Sequence, residues 1–117
     1  WSRNSEIKST IVAHSVEEIA AMHNVRKELN VTGCQLIANP IAKKFEIKRE
    51  LIEPIIKNSI EIMEKNNITG KDVTPFLLKK IAEKTEGASL KTNIELIKSN
   101  ADLAAKIAKR ACKNINI

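Results

Sequence analysis

The sequence predicts an α/β fold that is mostly helical, with four helices and about two short strands. Apolar residues recur every three or four positions along four stretches bounded by capping or turn residues, as in amphipathic helices. Two shorter runs are β-branched or apolar without that period, which favours strands. Because a two-stranded sheet is marginal in water, we expect such strands to need neighbours from elsewhere.

The first predicted strand and the first helix lie within the first 30 residues. A β-branched run within residues 7–13 predicts the strand. Ser15 and Glu18 then have capping-box spacing, in which the serine hydroxyl accepts from the third N–H and the glutamate accepts from the serine N–H. A helix over residues 16–29 is therefore expected.

A second strand and a second helix follow. Residues 34–38 form a short apolar run that Asn39-Pro40 ends, which predicts a buried strand that includes Cys34. Residues 50–66 carry isoleucine and leucine at clear 3–4 spacing and predict a helix. Its Pro54 falls near the first turn, where proline is tolerated.

Two further helix starts are predicted in the second half of the chain. Thr74 before Pro75 favours a helix N-terminus, because threonine can accept from free amides and proline has no N–H to leave unpaired. Gly87 predicts the end of this helix and Ser89 the start of the last one, an alanine-rich helix that continues to about residue 111.

The position of Asn93 is not explained by helix capping. It lies one turn into the last predicted helix, among Leu90, Ile94 and Ile97. A primary amide on the apolar edge of a helix must be hydrogen-bonded by its neighbours or be there for a ligand. The residues alone leave both explanations open.

Composition limits the possible functions. The 117 residues are 43% hydrophobic and 3% aromatic, which indicates at most one small domain with an aliphatic core. The net charge of +6 is spread among glutamates and few aromatics could stack on bases, so we do not expect a nucleic-acid partner. No apolar run approaches the roughly 20 residues needed to span a bilayer. Two cysteines without a secretory leader predict reduced thiols in a cytoplasmic protein.

The chain carries no recognisable set of catalytic groups. It has neither a glycine-rich phosphate loop nor a nucleophile elbow. His14 and His23 have no cysteine or carboxylate at metal-ligand spacing. Lys71 follows Gly70 and could meet a phosphate, but a solvated loop lysine is the favoured explanation. A self-sufficient active site is therefore not expected.

Four blocks follow one another along the chain: Asn39-Pro40-Ile41, Gly70-Lys71 with Thr74-Pro75-Phe76-Leu77-Leu78, Ser89-Leu90 with Asn93-Ile94, and Asn100-Ala101 with Ile107-Ala108. In order and spacing they resemble the C-terminal region of pseudouridine-5′-phosphate glycosidase, the indigoidine-synthase-A-like family. Trp1-Ser2-Arg3-Asn4-Ser5 resembles the loop that precedes this region. The resemblance implies that residues 1–117 are the C-terminal part of a larger α/β/α domain and are incomplete alone.

The resemblance implies an enzyme that reversibly cleaves the C–C glycosidic bond of pseudouridine 5′-phosphate to give uracil and ribose 5-phosphate. It also implies a lysine that attacks the sugar, a glutamate that transfers protons and an aspartate that helps to hold Mn²⁺. All three lie upstream in the family, so the remainder of the enzyme or a companion chain would supply them. The family assembles as a homotrimer, and we expect an interface on the alanine-rich last helix.

One site residue is implied by the resemblance. Asn93 matches the family's asparagine in Ser-Leu-x-x-Asn-Ile, which contacts the uracil side of the active site. Uracil presents imide donors and acceptors, and a carboxamide can pair with both. Asn39 and Arg3 are weaker candidates, since a turn held by Pro40 and an ordinary loop arginine explain them equally well.

The chain departs from the family at a few positions. Ala42 stands where the family usually has a second proline, Gly33-Cys34 replaces a glycine pair, and Ser99-Asn100 replaces an asparagine pair.

The alternative to the glycosidase function is a non-catalytic, basic helical interaction module or a degenerate family member.

Overall fold

Four α-helices make up most of the computed structural model, which describes residues 1–3 and 9–112. They are α1, Val16–Glu28; α2, Arg49–Lys65; α3, Val73–Lys84; and α4, Ala88–Cys112. Two short 3-10 helices, Lys43–Phe45 and Gly70–Asp72, precede α2 and α3. No β-strand occurs within residues 1–3 or 9–112, so the described fold is helical.

The predicted α/β class, with its two strands, is therefore wrong for this part of the chain. Residues 34–38 form neither a helix nor a ladder; Leu36 is 96% exposed, and Cys34 is exposed where a buried strand residue was predicted. Residues 9–13 likewise form no strand, and residues 7 and 8 of that run lie outside the described part. A strand depends on ladder hydrogen bonds to a neighbour, and neither run has one in the described structure.

The predicted start of α1 is confirmed, with one difference. The hydroxyl of Ser15 accepts the N–H of Glu18 at 3.1 Å. The Glu18 carboxylate, however, accepts the N–H of His14 at 2.7 Å, where the capping box would have used the N–H of Ser15. Acidic residues in the first turn and basic residues in the last turn of α1 also complement the helix dipole.

The start of α3 differs from the prediction. The helix begins at Val73, so Thr74 is its second residue and Pro75 its third. Asp72 occupies the cap position and its side chain makes no capping hydrogen bond. Pro75 is still tolerated because the N–H groups of a first helical turn have no partner within the helix.

The turn between α3 and α4 explains why one helix ends and another begins. Gly87 has a φ of +83°, the left-handed conformation that glycine adopts without strain, which confirms it as the stop signal. The N–H of Ser89 donates to the hydroxyl of Thr85 at 3.1 Å. Thr85 therefore satisfies one free amide of the first turn of α4, a role that the sequence had suggested for Ser89.

The described residues fall into two compact units. The first unit comprises residues 1–3 and 40–97, and the second comprises residues 9–39 and 98–112, so α4 contributes to both. In the first unit, α2 packs against α3. Ile52 on α2 and Ile81 on α3 are buried there, together with Ile41 of the preceding loop. The buried apolar residue of the second unit is Ala20 on α1.

Buried hydroxyl groups of the first unit all have partners. Ser59 on α2 donates to the carbonyl oxygen of Ile55 at 2.7 Å, and Thr92 on α4 donates to that of Phe45 at 2.8 Å. The hydroxyls of Ser89 and Thr85 lie 3.0 Å apart. Because an unpaired buried polar group costs about 1–3 kcal/mol, these contacts remove a penalty that the small core could not easily offset.

We expect the isolated 117-residue chain to unfold without a sharp transition. Four apolar residues are buried in the described structure, whereas seven large apolar side chains are more than half exposed: Ile11, Val12, Leu29, Leu36, Leu51, Leu90 and Ile97. So little apolar burial cannot offset the conformational entropy of folding. Thermal circular dichroism should show a broad loss of helix, and a hydrophobic dye should bind before heating. A sharp two-state melt of a monomer would contradict this expectation.

Candidate functional site

Asn93 lies at the boundary between two faces of α4. The helix begins at Ala88, so Asn93 is its sixth residue. With about 100° per residue, Ser89, Thr92 and Leu96 share one face, and Asn93 lies at its edge. Ser89 and Thr92 are buried there. The opposite face carries the exposed side chains of Leu90, Ile94 and Ile97.

The carboxamide of Asn93 makes no hydrogen bond to any residue in the described ranges 1–3 and 9–112. The residue itself is half-buried. A primary amide offers two donors and two acceptor sites, and all of them remain available to a ligand here. Among the described residues no neighbouring group satisfies the amide, and a ligand contact at Asn93 stays a prediction.

Two contacts from outside α4 hold the turn that carries Asn93. The indole Nε1–H of Trp1 donates to the carbonyl oxygen of Ser89 at 3.0 Å. The Thr92 hydroxyl donates to the carbonyl oxygen of Phe45 at 2.8 Å. Residue 89 is one turn before Asn93 and residue 92 is its immediate neighbour, so both contacts act on the backbone that orients the amide.

Asn39 is engaged in a structural contact within the second unit. Its Nδ2 donates to the hydroxyl of Ser99 and to Oδ1 of Asn100, each at 3.0 Å. These bonds fasten the end of the 34–38 segment to α4.

Arg3 is likewise committed to the protein. Its guanidinium donates to the carbonyl oxygen of Ile41, and its backbone N–H donates to the carboxylate of Glu46 at 2.8 Å. The hydroxyl of Ser2 reaches the same carboxylate at 3.3 Å. The first three residues are thus fastened to the 41–47 loop, and the structure gives Arg3 a structural role.

A cavity of about 480 Å³ lies in the second unit, and none of Asn39, Asn93 and Arg3 lines it. Its walls combine aliphatic side chains, among them Ile19, Ile37 and Ile107, with polar and charged ones. His23 and Cys34 also line it. Among the described residues, no group of three His, Cys, Asp or Glu side chains could hold a metal ion, so this cavity offers no metal centre.

Two carboxyl groups have shifted pKa values, and each shift has a local cause. The hydrogen bond from the Arg49 guanidinium, supported by one from Lys57, lowers the pKa of Glu53. The hydrogen bond from Lys80 lowers the pKa of Glu83. These are i,i+3 and i,i+4 ion pairs on the surfaces of α2 and α3, so they stabilise helices and do not indicate acid–base catalysis.

The sequence does not predict that Trp1 and Thr92 hold the turn that carries Asn93. Thr92 did carry a signal, since it follows Ser89 at helical spacing and shares its face. Nothing in the sequence near Trp1 indicates a partner that lies 88 positions away.

None of the helices in the described part of the chain is both long and apolar enough to cross a membrane.

Comparison with known proteins identifies one family. The profile of the indigoidine synthase A like protein family matches residues 1–110. The pseudouridine-5′-phosphate glycosidase of Mesorhizobium japonicum is 46% identical over 109 residues, which are 93% of this chain and 36% of that protein. The enzyme of the same name from Kosmotoga olearia is 44% identical over 107 residues, 92% of this chain and 37% of that protein. The chain thus spans about a third of the length of these curated relatives.

A solved structure has a similar fold. The crystal structure of the prealnumycin C-glycosynthase AlnA in complex with ribulose 5-phosphate superposes with a TM-score of 0.77. The match covers 94% of this chain and 36% of that one, at 21% sequence identity. At this identity the likeness concerns the fold alone.

We expect Asn39→Ala to destabilise the protein. The change is best made in a chimera in which residues 1–117 replace the matching third of the Kosmotoga olearia relative. Loss of two hydrogen bonds, each worth about 1 kcal/mol, should lower the Tm by about 2–5 °C.

Thermal unfolding followed by circular dichroism measures this change. Asn58→Ala is the matched control, because Asn58 is exposed on α2 and should leave the Tm within about 1 °C. If both variants melted at the same temperature, the structural role of Asn39 would be refuted.

Proposed function

Because the chain belongs to the indigoidine synthase A-like family, we propose that it forms the C-terminal part of a pseudouridine-5′-phosphate glycosidase. The reaction is the reversible cleavage of the C–C bond between uracil and ribose 5-phosphate. The observation that supports a direct role for this chain is the carboxamide of Asn93 on α4, which has no hydrogen-bond partner among the described residues. The names of the curated relatives support the choice of substrate.

In this proposal Asn93 binds the uracil ring. The edge of uracil carries carbonyl oxygens on either side of an imide N–H, and the carboxamide can donate to one and accept from the other. The half-buried position limits competition from water, while the backbone of α4 fixes the origin of the side chain. The contribution of Asn93 is to bind and orient the base while the C–C bond is made or broken.

The groups that form and break the bond would come from the rest of the family domain. Within the described ranges no three-ligand cluster fits a metal, so we assign the implied Mn²⁺ to residues outside this chain. The same holds for the attacking lysine and the proton-transferring glutamate. We also propose a cytoplasmic location, because the substrate is a charged nucleotide and both cysteines are free thiols.

We propose in addition that the complete enzyme is a homotrimer with α4 at a subunit interface. Support comes from the second unit, where Ala101, Ala104 and Ala108 on α4 are exposed and would allow another helix to approach closely. Exposed apolar residues in series are typical of covered surfaces.

The chimera with the Kosmotoga olearia relative tests the proposed activity. We expect it to release uracil from pseudouridine 5′-phosphate in the presence of Mn²⁺. Asn93→Ala should lower kcat/KM roughly 10- to 100-fold, because the base loses hydrogen bonds in a partly desolvated site.

Asn58→Ala again serves as the control and should retain the parent activity within about twofold. A folded chimera that released no uracil would favour the non-catalytic alternative. If the Asn93→Ala variant kept the parent activity, the proposed role of Asn93 in binding uracil would be refuted.

Ala108→Arg tests the proposed interface. A long cation on the alanine stripe should prevent close helix packing, so light scattering of the chimera should show a mass below that of three chains. Ala21→Arg, on an exposed position of α1, should leave the assembly intact. An unchanged mass for Ala108→Arg would place the interface elsewhere.

A further inference from the structure

We propose that Trp1 and Thr92 are positioning residues that orient Asn93 toward the base. The inference rests on the proposed function and extends it to two side chains that do not themselves reach the substrate. It is drawn from contacts within the first unit, which contains all of the residues concerned.

The carbonyl oxygen of Ser89 connects Trp1 to the backbone of Asn93. In an α-helix this oxygen accepts the N–H four residues later, which is that of Asn93. The indole Nε1–H of Trp1 donates to the same oxygen at 3.0 Å. A carbonyl has two lone pairs, so it can accept both bonds. Trp1 therefore acts on the acceptor that holds the Asn93 backbone.

A second contact limits the rotation of α4 about its axis. The Thr92 hydroxyl donates to the carbonyl oxygen of Phe45, which ends the 3-10 helix Lys43–Phe45. Thr92 is 4% exposed, so water cannot readily replace this partner. A bond from the residue next to Asn93 to a loop outside the helix fixes the direction in which Asn93 points.

The contacts of Trp1 and Thr92 with α4 are linked to each other through the 41–47 loop. The carbonyl oxygen of Trp1 accepts the N–H of Ile47 at 3.2 Å, so residue 1 and the 41–47 loop are joined to each other. The same loop is joined to Arg3 through Glu46 at 2.8 Å. Trp1 and Thr92 thus attach the first turns of α4 to one loop at two points. Two points of attachment fix both the position and the rotation of the helix.

The reversible reaction provides a specific test, because uracil and ribose 5-phosphate are separate substrates in the direction of synthesis. In the active chimera, Trp1→Phe keeps an aromatic ring, although a smaller one, and removes the indole N–H. Thr92→Val keeps the shape and removes the hydroxyl. We expect each to raise the KM for uracil about three- to tenfold and to leave the KM for ribose 5-phosphate within about twofold, as expected for a misplaced base contact.

Three controls separate positioning from general stability. Thr92→Ser retains the hydroxyl and should restore the parent KM for uracil. Thr74→Val makes the same change at an exposed position of α3 and should have no effect. In an Asn93→Ala background, Trp1→Phe and Thr92→Val should cost less than about 1.5-fold, because residues that act through Asn93 lose their effect with it.

The outcomes distinguish this inference from the proposed function. If Asn93→Ala left the KM for uracil unchanged, the uracil contact itself would be refuted. If Asn93→Ala raised the KM for uracil, the uracil contact would stand. The positioning role alone would then be overturned if Trp1→Phe and Thr92→Val raised the KM for uracil and the KM for ribose 5-phosphate equally. It would also be overturned if their effects on the KM for uracil added fully to that of Asn93→Ala.

Discussion

The hydrogen bonding of Ser89 is the constraint on which the start of α4 depends. This residue is 2% exposed, so each of its polar groups needs a partner within the protein. Its N–H and hydroxyl meet Thr85, and its carbonyl meets the indole of Trp1. Without Thr85 the buried N–H and hydroxyl of Ser89 would lose these partners, so Thr85 favours a helix start at this place. The Ser89 carbonyl would keep the N–H of Asn93 without Trp1, and the indole adds a second bond from outside the helix. The geometry around Asn93 follows from this.

The helices were predictable because their signals are local. The 3–4 spacing of apolar residues, the hydroxyl of Ser15 and the left-handed turn at Gly87 act within a few positions of each boundary. The strands were not, because a strand requires a partner that a local run of residues cannot specify. The exposed Leu36 shows this directly: its apolar side chain predicts burial, but the described residues provide no neighbouring strand. Thr85, and not Ser89, caps the start of α4 because of the conformation of the turn between α3 and α4. The spacing of residues in the sequence does not fix that conformation.

For the candidate site, the sequence identified the residue with an unusual position but not the residues that hold it. Asn93 stands out because an amide among leucine and isoleucine contradicts the apolar pattern of its own helix. Asn39 stands out before a proline, but the partners that give it a structural role are Ser99 and Asn100, 60 and 61 positions away. Contacts over such separations depend on how the helices pack, and one sequence does not contain that information.

The separation between Trp1 and Ser89 has a consequence for how the protein is made. The indole and its acceptor are 88 positions apart, so at about 5–20 residues per second the ribosome completes the acceptor about 4 to 18 seconds after the donor. The neighbouring helices α2 and α3 can pair during that interval, because their contacts close only short loops. Docking of Trp1 onto α4 is therefore a late event in biosynthesis. Until α4 has emerged, the nascent chain has its helical scaffold without the orientation that Asn93 requires.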